Sequence, residues 1–196
     1  MTFTKKRVGL IYFFCNIVCA ILSTYPMQKT NSFQIIQAAE CDIKTIQELA
    51  YRIWPPTFKD ILSPEQIAYM LDMMYSEDSL AKQLSKFGHR FFLLKEEKTA
   101  IGFLSIETDY QSSKKTKIHK LYVLPDKQGL GLGAKFINFA AEQALLHNNS
   151  ALILNVNKYN IATRFYEKMG FEVVAEEKIP IGNDFFMDDF VFEKKL

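Results

Sequence analysis

The sequence predicts a single α/β domain in which one mixed, mostly antiparallel sheet of about seven strands is flanked by four or five helices. Three observations predict it. Short apolar runs of strand length crowd the second half of the chain, while stripes at helical spacing fill the first. The stretch Leu121 to Ala134 passes from an apolar strand through Pro125-Asp126 into a glycine-rich loop, and an amphipathic helix and then the apolar run Ala151 to Val156 follow it, which is the order of a parallel strand-helix-strand crossover. At 196 residues the length is that of one domain, and 48% hydrophobic with 14% aromatic residues is ample for its core. Lys plus Arg at 24 against Asp plus Glu at 22 gives a formal +2, too balanced to argue for a nucleic-acid partner.

Taken in order, Phe33 to Ala39 alternates as a first strand, and Asp42 is positioned to cap a helix running to about Trp54, with Ile46, Leu49, Ala50 and Ile53 at helical spacing. Pro55-Pro56 is expected to end it. Ser63 caps a second helix with Pro64 at its first position, and Ile67, Met70, Leu71 and Met74 form its apolar face. Ser76 to Phe87 is a third helical piece. Arg90 to Lys95 and Thr99 to Tyr110 flank a polar turn as a hairpin, and the strand Thr116 to Leu124 follows. Beyond the glycine loop, Phe136, Ile137, Ala140, Ala141, Ala144 and Leu145 make one helix face, ended by His147-Asn148-Asn149-Ser150. Ala151 to Val156 reads as a strand buried on both faces. Asn160 caps a short helix, Ile161 to Met169, with Gly170 as its stop. Phe171 to Ile179 and Phe185 to Lys194 form a last hairpin around Gly182-Asn183-Asp184.

The loop Gln128-Gly-Leu-Gly-Leu-Gly-Ala134 is where the chemistry concentrates. Glycines at 129, 131 and 133 remove side chains that would hold a phosphate away, and the first amides of the following helix have no intrahelical acceptor, so a pyrophosphate can take their place beside the positive end of the helix dipole. It is not a Walker loop, because no Lys-Ser or Lys-Thr follows at the required spacing. Gly129-x-Gly131-x-x-Ala134 formally matches the dinucleotide fingerprint, but that motif wants an acidic residue at the end of the next strand, where Asn155 and Asn157 stand. In a third reading, Gln128-x-x-Gly131-x-Gly133 resembles the pyrophosphate loop of the GNAT superfamily of N-acetyltransferases. The run from Asn155 to Phe171, with Asn160 and Arg164-Phe-Tyr-Glu-Lys-Met-Gly-Phe171, resembles that superfamily's second signature in the right order.

The resemblance covers about residues 33 to 196 and implies the acyl-CoA N-acyltransferase fold, acetyl-CoA as co-substrate and a primary amine of a small molecule or peptide as acceptor, attacking directly in a ternary complex. The alternative is a non-catalytic acyl-CoA-binding regulatory module. In such proteins the pantetheine arm lies along the strand before the loop, so Leu121, Tyr122 and Val123 are expected to offer it backbone hydrogen bonds, with the Val123 amide as oxyanion donor. Gln128, Gly129, Leu130, Gly131, Leu132, Gly133 and Ala134 are expected to hold the pyrophosphate. Asn157 and Asn160 are expected at the arm, and Tyr166 as the acid for the departing thiolate, since a phenol of pKa near 10 stays protonated while a thiol of roughly 8.5 leaves.

The general base is less determined. Many relatives carry a glutamate where this chain has Lys117. His119, with an ordinary pKa near 6.5, is the expected base, sharing a strand face with Lys117, and Glu107 and Asp109 are alternatives on the neighbouring strand. The aromatic residues Trp54, Phe58 and Tyr69 are candidates for lining the acceptor pocket, with plain core packing as their other reading. The acidic residues Asp184, Asp188 and Asp189 near the last hairpin hint at a cationic, polyamine-like acceptor. Parts of the chain look loosely like bacterial diamine acetyltransferases. No metal site is expected, and a homodimer is compatible.

At the N-terminus, Lys5-Lys6-Arg7 precedes the apolar run Val8 to Leu22, the outline of a secretory signal. There is no clear small-x-small cleavage site after it, and a domain that uses acetyl-CoA has its supply in the cytoplasm. Residues 1 to 26 are therefore read as an extension from a misplaced start, ahead of a membrane anchor or a cleaved signal, and 27 to 196 as the catalytic domain. Two of three cysteines fall in the extension, leaving Cys41 alone in the domain and no disulfide framework within it.

Overall fold

The computed structural model describes residues 32–196, so the extension expected over residues 1 to 26 lies outside the described residues. Residues Phe33–Leu196 form one compact unit. Its strands are β1 (Phe33–Gln37), β2 (Arg90–Glu96), β3 (Thr99–Glu107), β4 (Lys115–Val123), β5 (Ala151–Asn157), β6 (Glu172–Gly182) and β7 (Phe185–Lys195). Its α-helices are α1 (Ile43–Phe58), α2 (Pro64–Tyr75), α3 (Glu77–Ser85), α4 (Leu132–Leu146) and α5 (Ala162–Lys168). The seven strands make one sheet in the order β1-β2-β3-β4-β5-β7-β6, antiparallel except for β4 and β5. The expected mixed architecture is what forms. No helix among the described residues is long and apolar enough to cross a membrane.

Sheet alternation sorts the core into two layers. Phe91 and Phe103 face the α1–α3 side, where Phe103 meets Tyr75 at 6.0 Å between ring centres. Phe92 faces α4 and packs edge-on against Phe139 at 4.8 Å. The α4 stripe of Phe136, Ile137, Ala140 and Ala144 is buried as expected, but Leu145 at its margin is exposed. Asn148 at φ 57 turns the chain out of α4. Asn149 is then buried and fully used: its side chain bonds Thr116 Oγ1 at 2.7 Å, and the amide and carboxylate of Asp109 at 3.0 and 2.7 Å.

Two helix boundaries differ from expectation. Asp42 belongs to a 3-10 turn, Glu40–Asp42, and its carboxylate reaches back to accept the Ala39 amide at 2.9 Å instead of capping α1. Helix α1 runs through Pro55-Pro56 to Phe58. Both prolines fall on its exposed face in the last turn, so the carbonyls of Tyr51 and Arg52 that lose their donors face water instead of the core. Ser63 does cap α2, accepting from the Gln66 amide at 3.2 Å, with Pro64 at the first position.

The β6–β7 hairpin turns at Asn183 (φ 51) and Asp184 (φ 60), a pair of left-handed residues suited to a two-residue turn. It is tied back to α2. Tyr69 Oη donates to the Ile181 carbonyl at 2.6 Å, Gln66 Nε2 donates to the Phe186 carbonyl at 3.0 Å, and Tyr69 packs on Phe185. Gly182 permits this approach, since a Cβ there would lie 2.6 Å from Tyr69 Oη. Replacing Tyr69 with Phe is expected to cost about 1 kcal/mol in urea denaturation and to speed amide exchange at the hairpin tip. Unchanged exchange would show that the hairpin is held without this bond.

Candidate active site

The site begins where β4 and β5 part. Their parallel pairing covers only Lys115↔Ala151 to Ile118↔Leu154, after which β5 continues against β7 alone. A bulge in β4 coincides with the parting: Ile106 pairs with Ile118 and Ser105 with Lys120, leaving His119 as the extra residue. Bulges bend and twist their strand, so β4 swings away from β5 immediately after its last paired residue. The result is a wedge, open along the second half of β4.

Backbone polarity in the wedge follows from strand alternation. The Leu124 amide donates to the Ile101 carbonyl on β3 at 2.9 Å. Tyr122 is registered with Phe103, and its carbonyl faces β3, where a Cβ on Gly102 would lie 2.6 Å away. Neighbouring residues must point the other way, so the amides of Leu121 and Val123 face the open wedge. Tyr122 is the correction: its own amide and carbonyl belong to β3, and it offers the wedge its ring. Gln128 Nε2 lies 3.4 Å from the Val123 carbonyl.

The glycine loop closes the wide end. Gly129 (φ 81) and Gly131 (φ 74) sit in the left-handed region, and a Cβ added to either would meet no atom within 4 Å, so both the conformation and the open space in front of it depend on glycine. Gly133 has a different reason: a Cβ there would lie 3.0 Å from the Phe165 ring, so this glycine seats α5 against α4. Among the described residues, the first amide after Gln128 to find a backbone acceptor is that of Lys135, on Gly131 at 3.1 Å. The amides of residues 129 to 134 are left free at a helix start, which fits a pyrophosphate.

A cleft of about 1130 Å³ runs from this loop along the wedge and out between α1, α2 and the β6–β7 hairpin. Leu121, Tyr122, Val123, Asn157, Asn160, Tyr166 and His119 all line it. Asn160 Oδ1 accepts from the Ala162 amide at 2.9 Å, leaving its amide group free, and Asn157 Oδ1 accepts from Tyr159 at 3.0 Å. Tyr166 is 8% exposed, its ring set among Phe165, Phe171 and Phe192, and burial foremost, then the neighbouring Tyr122, pushes its phenol well above 10. Trp54 and Phe58 line the acceptor side, with Trp54 Nε1 donating to Tyr75 Oη at 3.2 Å, whereas Tyr69 lies outside the cleft as the hairpin's latch.

The expected base is heavily engaged. His119 Nε2 lies 2.8 Å from Glu107 Oε2, and its ring stacks on His89 at 3.8 Å. Burial, then His89, Lys120 and Lys117, push its pKa down to about 2, so it is a weak proton acceptor. Glu107 is thereby used, and Asp109 is committed to Asn149. His89, Glu107 and His119 bring potential metal-donor atoms within 4.8 Å of one another, but the two rings are 17° from parallel, so their in-plane lone pairs run side by side and the stack would have to break for both to face one ion. Two lysines here are buried, and of these only Lys117 was signalled by the sequence. Lys120 is bonded to Gln83 at 2.6 Å and lies over Tyr75, burial bringing its pKa down to about 8. Lys117 is bonded to Asn155, and burial lowers its pKa.

The depressed His119 pKa carries a sign for stability. The unfolded imidazole takes a proton below its ordinary 6.5 while the folded one does not, so this contribution is present above pH 6.5 and lost as pH falls towards the folded value. For His119 the loss is about 2 kcal/mol between pH 6.5 and pH 5. Urea denaturation at pH 7 and pH 5 is expected to show a smaller pH effect for His119→Gln than for the parent chain. An equal effect would place the titration elsewhere.

Comparison with known proteins agrees with this geometry. A family model described as an acetyltransferase (GNAT) domain matches residues 58–186. An uncharacterized N-acetyltransferase of Lactobacillus delbrueckii subsp. lactis is 27% identical over 169 residues, 83% of this chain and 97% of that protein. The crystal structure of PaiA N-acetyltransferase from Thermoplasma acidophilum, in complex with coenzyme A, superposes with a TM-score of 0.70 at 25% identity, covering 84% of this chain and 99% of its own. A spermidine N-acetyltransferase chimera involving the Vibrio cholerae protein shares the fold at 18% identity, with a TM-score of 0.63 over 83% of this chain and 95% of its own. With a family match over more than half its length, laid across a parted strand pair and a loop of free amides, the chain belongs to the GNAT family of acetyltransferases, which move the acetyl group of acetyl-CoA to an amine.

Proposed function

We propose that the acceptor is a primary amine that attacks acetyl-CoA directly while both are bound in the cleft, and that the enzyme works in the cytoplasm, where that donor is supplied. Acetyl-CoA supplies an activated acyl carbon on a thiolate leaving group. The free amides of residues 129 to 134 receive the pyrophosphate, and the Leu121 amide and the Asn160 side chain receive the pantetheine arm, much as an added strand would be received. The Val123 amide, on a buried stretch of β4, points at the oxygen that gains charge as the amine adds.

Tyr166 holds its proton for the departing sulfur. A phenol raised by burial stays protonated across the working pH range, and its proton is released only to a base that appears in the site, the thiolate itself. The single observation that carries this reading is the parting of β4 from β5 after Ile118 and Leu154, which leaves inward-facing backbone groups in need of an extended partner.

The test is coenzyme A thiol release with acetyl-CoA and a panel of polyamines, amino acids, aminoglycosides and lysine peptides, beside calorimetric titration of acetyl-CoA. Turnover with one amine class is expected; tight binding with no turnover on any amine would favour a regulatory module. Tyr166→Phe is expected to lower kcat by about 100-fold with little change in the KM for acetyl-CoA, and an unchanged kcat would remove it from the chemistry. Gly131→Asp is expected to weaken coenzyme A binding at least about 100-fold through like charge in the cradle. Gly131→Asn, uncharged and tolerant of the left-handed region, is expected to lose less. Full affinity in Gly131→Asp would sink the assignment of the loop.

A further inference from the structure

We infer that Asp189 is the carboxylate that receives the acceptor's ammonium group and takes its proton, and that the acceptor is a monoamine carried on an apolar body. This rests on the reading of the cleft as an acetyl-transfer site and names the half of it that faces the acceptor.

Four acidic side chains gather where β6 and β7 meet the cleft, and three are spoken for or exposed. Glu177 accepts from Asn155 Nδ2 at 2.9 Å, and Asn155 in turn holds the Lys117 ammonium. Asp188 pairs with Lys158 at 2.8 Å, and Glu176 pairs with the same lysine at 2.8 Å. Asp189 differs from them all. It is 7% exposed, lines the cleft, and has no hydrogen bond or ion pair among the described residues. Largely buried and open only towards the cleft, its carboxylate is placed to be paired by a cation that enters there.

The charges around it fit an incoming cation. Lys117 stands on β4 where the resemblance implies a glutamate, so β4 presents a positive group there and the free carboxylate is on β7. Asp189 is also faced by Glu177 from β6, Asp188 from its own strand, Lys158 from the turn after β5, and Tyr122 from β4. Burial first, with Asp188 and Glu177 adding and Lys117 and Lys158 opposing, raises its pKa to about 6, which suits a base near neutral pH. The proton balance is complete. An ammonium N–H bond breaks as an Asp189 O–H bond forms, and the freed lone pair makes the C–N bond while the C–S bond breaks and sulfur takes the Tyr166 proton. The second nitrogen proton, lost as the amide forms, restores Tyr166, and Asp189 returns its proton to water.

Much of the rest of the acceptor half is apolar, with the buried Lys117 and Lys120 and the exposed Asp60 as its charged members. Trp54, Phe58 and Met70 line it from α1 and α2, and Ile179, Phe186 and Met187 from the hairpin. One free buried carboxylate in such walls serves one buried ammonium. A polyamine would have to bring a further cation into walls that already hold Lys117 and Lys120, and at the hairpin Asp188 and Glu176 already share Lys158 while Glu177 accepts from Asn155.

The experiment uses the full chain, titrated calorimetrically first with coenzyme A and then, free and coenzyme-saturated, with 2-phenylethylamine and with spermidine. Phenylethylamine is expected to bind at least tenfold more tightly than spermidine, and Asp189→Asn to weaken it at least tenfold with coenzyme A affinity unchanged. Asp189→Asn is expected to melt no earlier than the parent at pH 7, because the folded carboxylate's raised pKa means that ionising it above about pH 4 costs the native state stability. Turnover of the parent is expected to fall below about pH 6, and Asp189→Asn to lose that limb together with at least about 100-fold in kcat. Equal amine binding by parent and variant, or tighter binding of spermidine, overturns the inference. Failure of coenzyme A to bind overturns the donor reading instead, and the amine titration of the free protein still decides on Asp189.

Discussion

Everything about this cleft depends on one interrupted pairing. Parallel strands in the middle of a sheet normally satisfy each other's backbone groups along their whole shared length. Here β4 and β5 do so for four residues and then part. One extra residue, His119, supplies the bend, and Leu154, Val156 and Tyr166 line the channel that opens. The amides of Leu121 and Val123 are thereby left facing a channel that an extended ligand can complete. The crossover through α4 then delivers a second set of unbonded amides to the end of the same channel.

The bulge also explains the electrostatics nearby. It lets His119 and Lys120 both turn to the side that carries α1 to α3, where Lys120 finds Gln83 and two aromatic faces, and His119 finds His89 and Glu107. Two partly buried histidines and a buried lysine thus come together, and all have their protonated forms disfavoured by lost hydration. The imidazoles remain neutral and serve as packing and hydrogen-bonding groups.

What the sequence made legible was local. The cradle could be read because Gly129 and Gly131 need left-handed backbone and empty space, a demand only glycine meets. The strand-helix-strand order, the Ser63 cap and the Asn183-Asp184 turn are likewise signalled within a few residues. What it hid was set by partners far along the chain. The bulge at His119 is defined by β3, and without it period-two alternation misjudges which residues share a face. Tyr69 reads as a pocket aromatic until Ile181, 112 residues away, claims its hydroxyl. Asp189 reads as one of several acidic residues near a turn, and its isolation is visible only once Asn155 and Lys158 are seen holding its neighbours. Pro55 and Pro56 obeyed their local rule too weakly, because their exposed face let water replace the missing donors.

The two ends of the cleft are made of different stuff. The donor end is lined by main-chain amides, which almost any sequence supplies provided glycine keeps its few positions. The acceptor end is lined by side chains from α1, α2 and the hairpin, each replaceable on its own. Substitution can therefore retune what is acetylated while leaving untouched how the acetyl group is held. A lineage can change its substrate repeatedly on an inherited donor grip, and sequence divergence should collect in the helical pair and the hairpin long before it reaches the loop.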